Sequence, residues 1–152
     1  MVPSQLAQLN VARLVRSLDH PQLEPFVSAL DEVNAVADAA PGFVWRLQEE
    51  SGNAIGVRPW GEDMIVNLSL WDDLESLRAY VFAPDHAAVL RRRREYFEPM
   101  PTPHLVVWWV PVGHRPELDE ARERLDHLEA HGPTPYAFTL RTAFPPDGAD
   151  GP

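Results

Sequence analysis

A strand of mixed polarity carries the clearest chemical signal in this sequence. Residues 63–71, which read DMIVNLSLW, alternate between two faces as a β-strand does. One face is wholly apolar, whereas the other places Asn67 and Ser69 between Ile65 and Trp71. A face of this kind is typical of a small, mostly dry pocket with a few placed hydrogen bonds. We therefore expect Asn67, Ser69 and Trp71 to contact a small-molecule ligand.

Two further side chains with useful chemistry follow on a predicted helix. His86 and Arg93 lie seven residues apart, so they share one helix face. Directed at the polar strand, they could act as a general base and an anion clamp. In the alternative interpretation His86 caps the first helical turn, while Arg93 reaches solvent or pairs with a carboxylate. For His86 the alternative is favoured, because a histidine can be assigned as a general base only when the structure places it within hydrogen-bond distance of the proton that it removes.

A histidine pair has the spacing of metal ligands but is not expected to bind a metal. His127 and His131 lie at i and i+4, and Glu123 extends the same row. That row lies opposite the apolar stripe of its helix and should face solvent. The chain has no cysteine, which excludes disulfides and thiolate sites and makes a reducing cytoplasm the expected compartment. We predict neither a metal nor a cofactor.

Length and charge exclude several classes of protein. With 152 residues the chain is long enough for one domain with a substantial core. Its formal net charge of −10 repels phosphate backbones, and the four arginines at 91–94 would point in four directions on a helix. We expect no nucleic acid partner. Neither a signal peptide nor an apolar run long enough for a membrane span is visible.

The hydrophobic pattern predicts the order β-α-β-β-α(α)-β-α-β. Predicted strands cover 5–15, 43–48, 63–71, 104–110 and 136–141. Apolar stripes at helical spacing fall within 26–37, 74–81 and 118–128, with a further helix over 86–97. Asp72 and Glu75 resemble a capping box at the start of the second helix. We predict one domain over residues 1–144 and a disordered tail over 145–152.

This order predicts an α+β fold of the ferredoxin-like type. The first six units form a split βαβ arrangement, to which a C-terminal helix and strand are added. Helices cover only one face of such a sheet, yet Trp108 and Trp109 point in opposite directions and make both faces apolar. A second copy of the chain, packed sheet against sheet, would cover the second face. We therefore expect a homodimer.

Several segments resemble known protein families. The segments 41–45 and 66–71, followed by a helix near His86, resemble the dimeric α/β-barrel superfamily that includes antibiotic-biosynthesis monooxygenases. More closely, the segments 7–10, 42–47, 108–111 and 132–138 resemble a bacterial family known as domain of unknown function 3291. This second resemblance extends over residues 5–144. It implies the fold and assigns no activity.

The wider superfamily implies one chemistry for these residues. Its cofactor-independent monooxygenases use an Asn on the first strand and an Asn-x-x-x-Trp segment on the third, which Asn10, Asn67 and Trp71 match. The resemblance implies a compact aromatic or polyketide-like substrate. Once deprotonated, it gives its own electrons to oxygen, and the protein supplies an apolar pocket and hydrogen bonds to the anion. Trp45 and Tyr80 complete the predicted substrate-binding residues, and Gln8 shares the face of Asn10.

Other interpretations stay open at this point. Haem-degrading members of the superfamily place an axial histidine ten residues beyond a second aromatic, and counting from Tyr80 leads to Leu90, which cannot ligate iron. Haem is therefore disfavoured, although His86 could serve from another turn. Asn10 and Asn67 could also have a structural role, as buried amides usually do. A non-catalytic binding or sensing dimer, or a dimer without a pocket, are the alternative functions.

Overall fold

The structure contains a β-sheet whose central strand has polar residues on one face and apolar residues on the other. The computed structural model describes residues 3–49, 56, 58–83, 93–100 and 103–146. The strands are β1 (Ser4–Leu14), β2 (Phe43–Arg46), β3 (Met64–Trp71), β4 (Phe97–Glu98) and β5 (Leu105–Pro111). The helices are α1 (Glu24–Asp38), α2 (Leu74–Val81), α3 (Arg93–Tyr96) and α4 (Leu118–His131), with a 3₁₀ turn at Pro21–Leu23.

The strands form one antiparallel sheet in the order β2-β3-β1-β5. The short β4 pairs with the end of β1 beyond β5, where Arg13 lies opposite Glu98. Helices α1 and α2 connect strands that are not neighbours in the sheet, as the split βαβ arrangement requires. The predicted α+β, ferredoxin-like fold is therefore confirmed.

The pairing of β1 with β3 shows which of their residues share each face of the sheet. Gln8 lies opposite Ser69 and Asn10 opposite Asn67, on the face that packs against α1 and α2. We call this the polar face. The apolar face carries the alternating residues of both strands, Ala7, Leu9, Val11, Met64, Val66, Leu68 and Leu70, all of them buried. The polar residues of β3 thus point towards the helices.

Helix α4 covers the apolar face. Its predicted stripe residues Ala121, Leu125 and Leu128 are buried in the same cluster as the apolar residues of β1, β3 and β5. The indole Nε1–H of Trp108 donates to Glu120 of α4 at 2.8 Å, which fixes the helix to the sheet. The apolar residues of β1 and β3 on this face are at most 7% exposed within one chain. The uncovered face that was the reason to expect a homodimer is therefore absent from the described residues, and the homodimer stays a prediction.

Two local predictions need correction. Residues 136–141 do not form a strand, because only Phe138 pairs with β5, exchanging two hydrogen bonds of 2.9 Å with Val107. A tight turn between Thr134 and Ala137 takes up the backbone groups just before it. The cap of α2 is Asp73, one residue later than predicted, and its carboxylate accepts the Ser76 N–H at 2.8 Å.

Three other predictions are tested in part or lie outside the described residues. The helix expected over 86–97 is described only as α3, because residues 84–92 are outside the described part. Most of the predicted tail, residues 147–152, is outside it as well. Among the described residues no helix has the length and apolar character needed to cross a membrane.

Candidate functional site

A cavity of about 390 Å³ lies between the polar face and helices α1 and α2. This volume is in the range of sites for small molecules. Its floor is made by alternate residues of β1 and β3, and its roof by apolar residues of the helices, Phe26, Leu30, Val33, Leu77 and Val81 among them. The site therefore combines mostly apolar walls with a short row of polar residues on its floor. We call this row, made by Gln8, Asn10, Asn67 and Ser69, the polar stripe.

A chain of hydrogen bonds runs across the polar stripe. The Trp71 Nε1–H donates to Ser69 Oγ at 2.9 Å, and the Ser69 hydroxyl donates to Gln8 Oε1 at 2.8 Å. All three side chains are buried, with exposed fractions of 1% for Trp71, 5% for Ser69 and 6% for Gln8. Because Gln8 and Ser69 are directly opposite each other in the register, the sheet itself sets this contact.

The two asparagines of the stripe are not held in this way. Asn10 Oδ1 is buried and has no hydrogen-bond partner among the described residues. Asn67, opposite Asn10, lines the cavity but is exposed, and its side-chain amide makes no hydrogen bond to the described residues. A buried acceptor without a partner requires an explanation. A ligand or water in the cavity would supply the missing donor.

Aromatic side chains close one end of the cavity. Trp71 stacks on Tyr80 of α2 with 5.0 Å between ring centroids, and Phe43 meets the same indole edge-on at 5.4 Å. Burial raises the pKa of Tyr80 above its ordinary 10.0, the charge of Asp38 raises it further, and Arg46 opposes the shift. Tyr80 is therefore a neutral phenol at neutral pH.

The opposite end of the cavity contains a second aromatic group and a histidine. Phe26 of α1 packs against Phe97 at 5.1 Å and Tyr96 at 5.5 Å between ring centroids. His104, which is half-buried and lies just before β5, also lines the cavity. Sequence reasoning did not single out His104, because the predicted strand 104–110 is apolar on both faces and His104 is only its first residue; the observed β5 begins one residue later, at Leu105. Histidine is the residue type that most often acts as a general base.

A bulge in β2 corrects the predicted position of Trp45. Phe43 pairs with Trp71 but Trp45 pairs with Leu70, so Val44 is an extra residue between them. One inserted residue moves the following side chains to the other face. Trp45 therefore packs against the core of the apolar face, below Arg115 at 5.7 Å, and does not line the cavity.

The same bulge brings Arg46 into the cavity wall. Arg46 lies opposite Ser69, and its side chain is 10% exposed. Its guanidinium donates to Asp38 at the end of α1 through Nε at 2.7 Å and Nη2 at 3.2 Å. This two-point contact joins β2 to α1, and Asp38 compensates the buried positive charge. Without the bulge, alternation would place Arg46 on the opposite face, which is why the sequence did not reveal it.

The predicted base and clamp are not located by the structure. His86 lies outside the described residues, as does Leu90. Arg93 begins α3, but its side chain is outside the described part. The assignments of His86 and Arg93 therefore stay predictions. The other predicted residues, Asn10, Asn67, Ser69, Trp71 and Tyr80, all line the one cavity.

The histidine pair lies on α4, which covers the other side of the sheet from the cavity. The rings of His127 and His131 are 4.5 Å apart, and His127 also contacts Tyr136. Burial lowers the pKa of His127, and the positive charges of His131 and Arg124 lower it further. The hydrogen bond from the Tyr136 hydroxyl to Glu123 raises the pKa of Tyr136. Among the described residues no group of three or more potential ligands could hold a metal ion.

A comparison with known protein families identifies the family of this chain. The model of the family called Domain of unknown function (DUF3291) matches residues 5–151. The chain belongs to this family. The match extends over nearly the whole DUF3291 chain, including every described residue of the cavity.

Solved structures resemble the DUF3291 chain at low sequence identity. SnoaB, a cofactor-independent oxygenase from Streptomyces nogalater, is 17% identical over 77% of this chain and 99% of its own, with a TM-score of 0.46. The protein NE2512 of unknown function from Nitrosomonas europaea is 12% identical over 77% and 97%, with a TM-score of 0.49. A putative antibiotic biosynthesis monooxygenase from Chloroflexus aurantiacus is 19% identical over 74% and 97%, with a TM-score of 0.47. No curated protein matches the sequence.

Proposed function

We propose that this chain binds a compact aromatic or polyketide-like molecule in the cavity and oxidises it with molecular oxygen, without a bound cofactor. The observation that supports the proposal is the polar stripe of β1 and β3 inside an apolar cavity of about 390 Å³. Flat apolar rings would fit between the aromatic ends, while a few oxygen atoms would meet the amides of the stripe. The motif of Asn10, Asn67 and Trp71, resembling the cofactor-independent monooxygenases, points to the reaction.

The reaction requires a substrate that can become an anion. A base removes one proton from a phenol or from the carbon beside a ketone, and hydrogen-bond donors of the stripe stabilise the resulting oxyanion. The anion gives an electron pair to O₂ and forms a peroxide on its carbon, which takes up a proton to become a hydroperoxide. Loss of the remaining proton from that carbon breaks the O–O bond, so one oxygen atom stays as a ketone and the other leaves as water. Anthrone, for example, and one O₂ would give anthraquinone and one water. Besides the predicted His86, His104 is a described lining residue of the type that can take the proton.

The Asn67→Ala variant is expected to lower the turnover of anthrone by about tenfold or more, because one donor to the oxyanion is removed. Oxygen uptake and anthraquinone formation, corrected for the uncatalysed reaction, measure the effect. The exposed Gln48 on the far side of the β2 bulge serves as a control, and Gln48→Ala should keep wild-type turnover. Full turnover by Asn67→Ala would remove Asn67 from the mechanism.

A non-catalytic binding or sensing role is the second candidate. The described residues that line the cavity include no carboxylate, and amides and hydroxyls are sufficient for binding alone. In this case anthrone would bind under anaerobic conditions with similar affinity, but oxygen uptake would not exceed that of buffer. The two measurements together distinguish the two candidates.

The bulge in β2 leads to a prediction about two neighbouring aromatic residues. Phe43→Leu should weaken anthrone binding several-fold, because Phe43 lines the cavity and packs on Trp71. Trp45→Leu should leave the affinity within about twofold while lowering the unfolding midpoint, since Trp45 packs in the core of the apolar face. Anaerobic calorimetric titration and thermal unfolding measure the two quantities. Equal loss of affinity in both variants would contradict the assignment of faces.

A further inference from the structure

The hydrogen-bond chain of the polar stripe fixes the orientation of the Gln8 amide. An indole N–H can only donate, so Ser69 Oγ is the acceptor in its contact with Trp71. The Ser69 hydroxyl then has one hydrogen to give, and Gln8 lies 2.8 Å away. Ser69 Oγ makes no other hydrogen bond among the described residues. A reversed Gln8 amide would therefore leave the Ser69 hydrogen buried without an acceptor, which is unfavourable.

The consequence is that Gln8 directs its NH₂ group away from Ser69. Gln8 lines the cavity and is 6% exposed, and its amide nitrogen makes no hydrogen bond to the described residues. The Gln8 Nε2 atom is not among the buried atoms without a partner, so it is open to the cavity. The cavity thus contains a pre-oriented hydrogen-bond donor that is available to a ligand acceptor. Asn10 and Asn67 differ in this respect, because no described side chain holds their amides in one orientation.

We infer that Gln8 is a ligand-binding residue that selects a carbonyl, enolate or phenolate oxygen, with Ser69 and Trp71 as positioning residues. The inference rests on the proposed function, because it names the atom type that the same cavity takes. A donor held in one orientation recognises an acceptor and rejects a ligand that offers only hydrogen or carbon at that place. Its hydrogen bond is stronger to an anion than to the neutral ketone, so Gln8 would also favour deprotonation of the ligand.

A pair of ligands with the same ring skeleton tests this inference. Anthrone has a carbonyl oxygen where 9,10-dihydroanthracene has a methylene group, and anaerobic titration gives the affinity of each. Wild-type protein is expected to prefer anthrone by about tenfold, as for one hydrogen bond from a pre-oriented donor. Gln8→Met, of similar size but without a donor, should lose most of this preference. Gln8→Glu should prefer dihydroanthracene, because a carboxylate repels the carbonyl oxygen.

Two further variants separate positioning from folding. Ser69→Ala frees the Gln8 amide to rotate, so the preference for anthrone should fall while the affinity for dihydroanthracene stays the same. A merely structural role of Ser69 would lower both affinities alike. Gln48→Glu makes the same change of charge as Gln8→Glu at an exposed position outside the cavity, and it should keep the wild-type preference. Thermal unfolding of each variant confirms that it is folded.

The outcomes distinguish this inference from the proposed function. If wild-type protein binds both compounds equally, or if Gln8→Glu and Ser69→Ala keep the wild-type preference, the inference is wrong while the binding cavity stands. If wild-type protein binds neither compound, the proposed function fails and the inference fails with it. Loss of the anthrone preference in Gln8→Met and Ser69→Ala, with dihydroanthracene still bound, is the result that the hydrogen-bond chain predicts.

Discussion

The Ala12→Trp variant is expected to bind anthrone much more weakly, with an affinity about 70-fold below that of the wild type. Ala12 lies on β1 opposite Ile65, and both line the cavity. An indole at this position would occupy space that the ligand needs. Excluding about 100 Å² of apolar ligand surface from burial, at about 25 cal/mol/Å², corresponds to about 2.5 kcal/mol, or about 70-fold.

A matched control and a stability measurement accompany this variant. Val112, just after β5, is 54% exposed, and Val112→Trp should bind anthrone as the wild type does. Because the new indole in Ala12→Trp enters existing space, the thermal unfolding midpoint should change little. Anaerobic titration with wild-type affinity in a folded Ala12→Trp protein would show that the ligand does not use this cavity.

The Gly42→Ala variant is expected to lower the free energy of unfolding by about 2–4 kcal/mol. Gly42 has a φ of 82°, in the left-handed region that only glycine adopts readily. A Cβ there would lie 2.0 Å from Ser76 Oγ and 2.3 Å from Ser76 Cβ, in the first turn of α2. The backbone strain and the clash add, because the clash involves the Ser76 Cβ and no rotation of the hydroxyl relieves it.

A second glycine separates the two contributions. Gly113 has a φ of 94°, but a Cβ there would meet no atom within 4 Å. Gly113→Ala should therefore lose only the backbone part, about 1–2 kcal/mol. Urea unfolding of both variants measures the difference. Since Gly42 sets the approach of α2 to the sheet, and α2 carries Tyr80 and Leu77 over the cavity, Gly42→Ala should also weaken ligand binding. Equal destabilisation of the two variants would contradict the close contact with Ser76.

Period-two alternation made most of the fold and the floor of the cavity predictable from sequence. The polar residues of 63–71 recur at every second position, and antiparallel pairing with the first strand brings Asn10 opposite Asn67. The stripe at 118–128 likewise predicted which side of α4 is buried. In these elements the hydrophobic pattern alone decides which face meets the core.

The parts that sequence reasoning missed depend on single residues or on long-range packing. The bulge at Val44 places Trp45 and Arg46 on the sheet faces opposite to those that simple alternation predicts. No local sequence pattern indicates such an insertion. The apolar stripe of α4 predicts that this helix is buried on one side, but it does not predict which face of the sheet the helix covers. The sequence therefore suggests a partner sheet for a face that α4 itself covers. The orientation of Gln8 depends on Ser69 and Trp71, more than sixty positions away along the chain.

Oxygen uptake tests most directly whether the cavity between the polar face and helices α1 and α2 is a site of substrate oxidation. Wild-type protein and Ala12→Trp are each mixed with anthrone in air-saturated buffer, and oxygen and anthraquinone are followed together. We expect the wild type to consume one O₂ for each anthraquinone formed, well above the rate in buffer, and Ala12→Trp to fall to the buffer rate. Uptake by the wild type no faster than in buffer, or equal uptake by both proteins, would contradict the proposal.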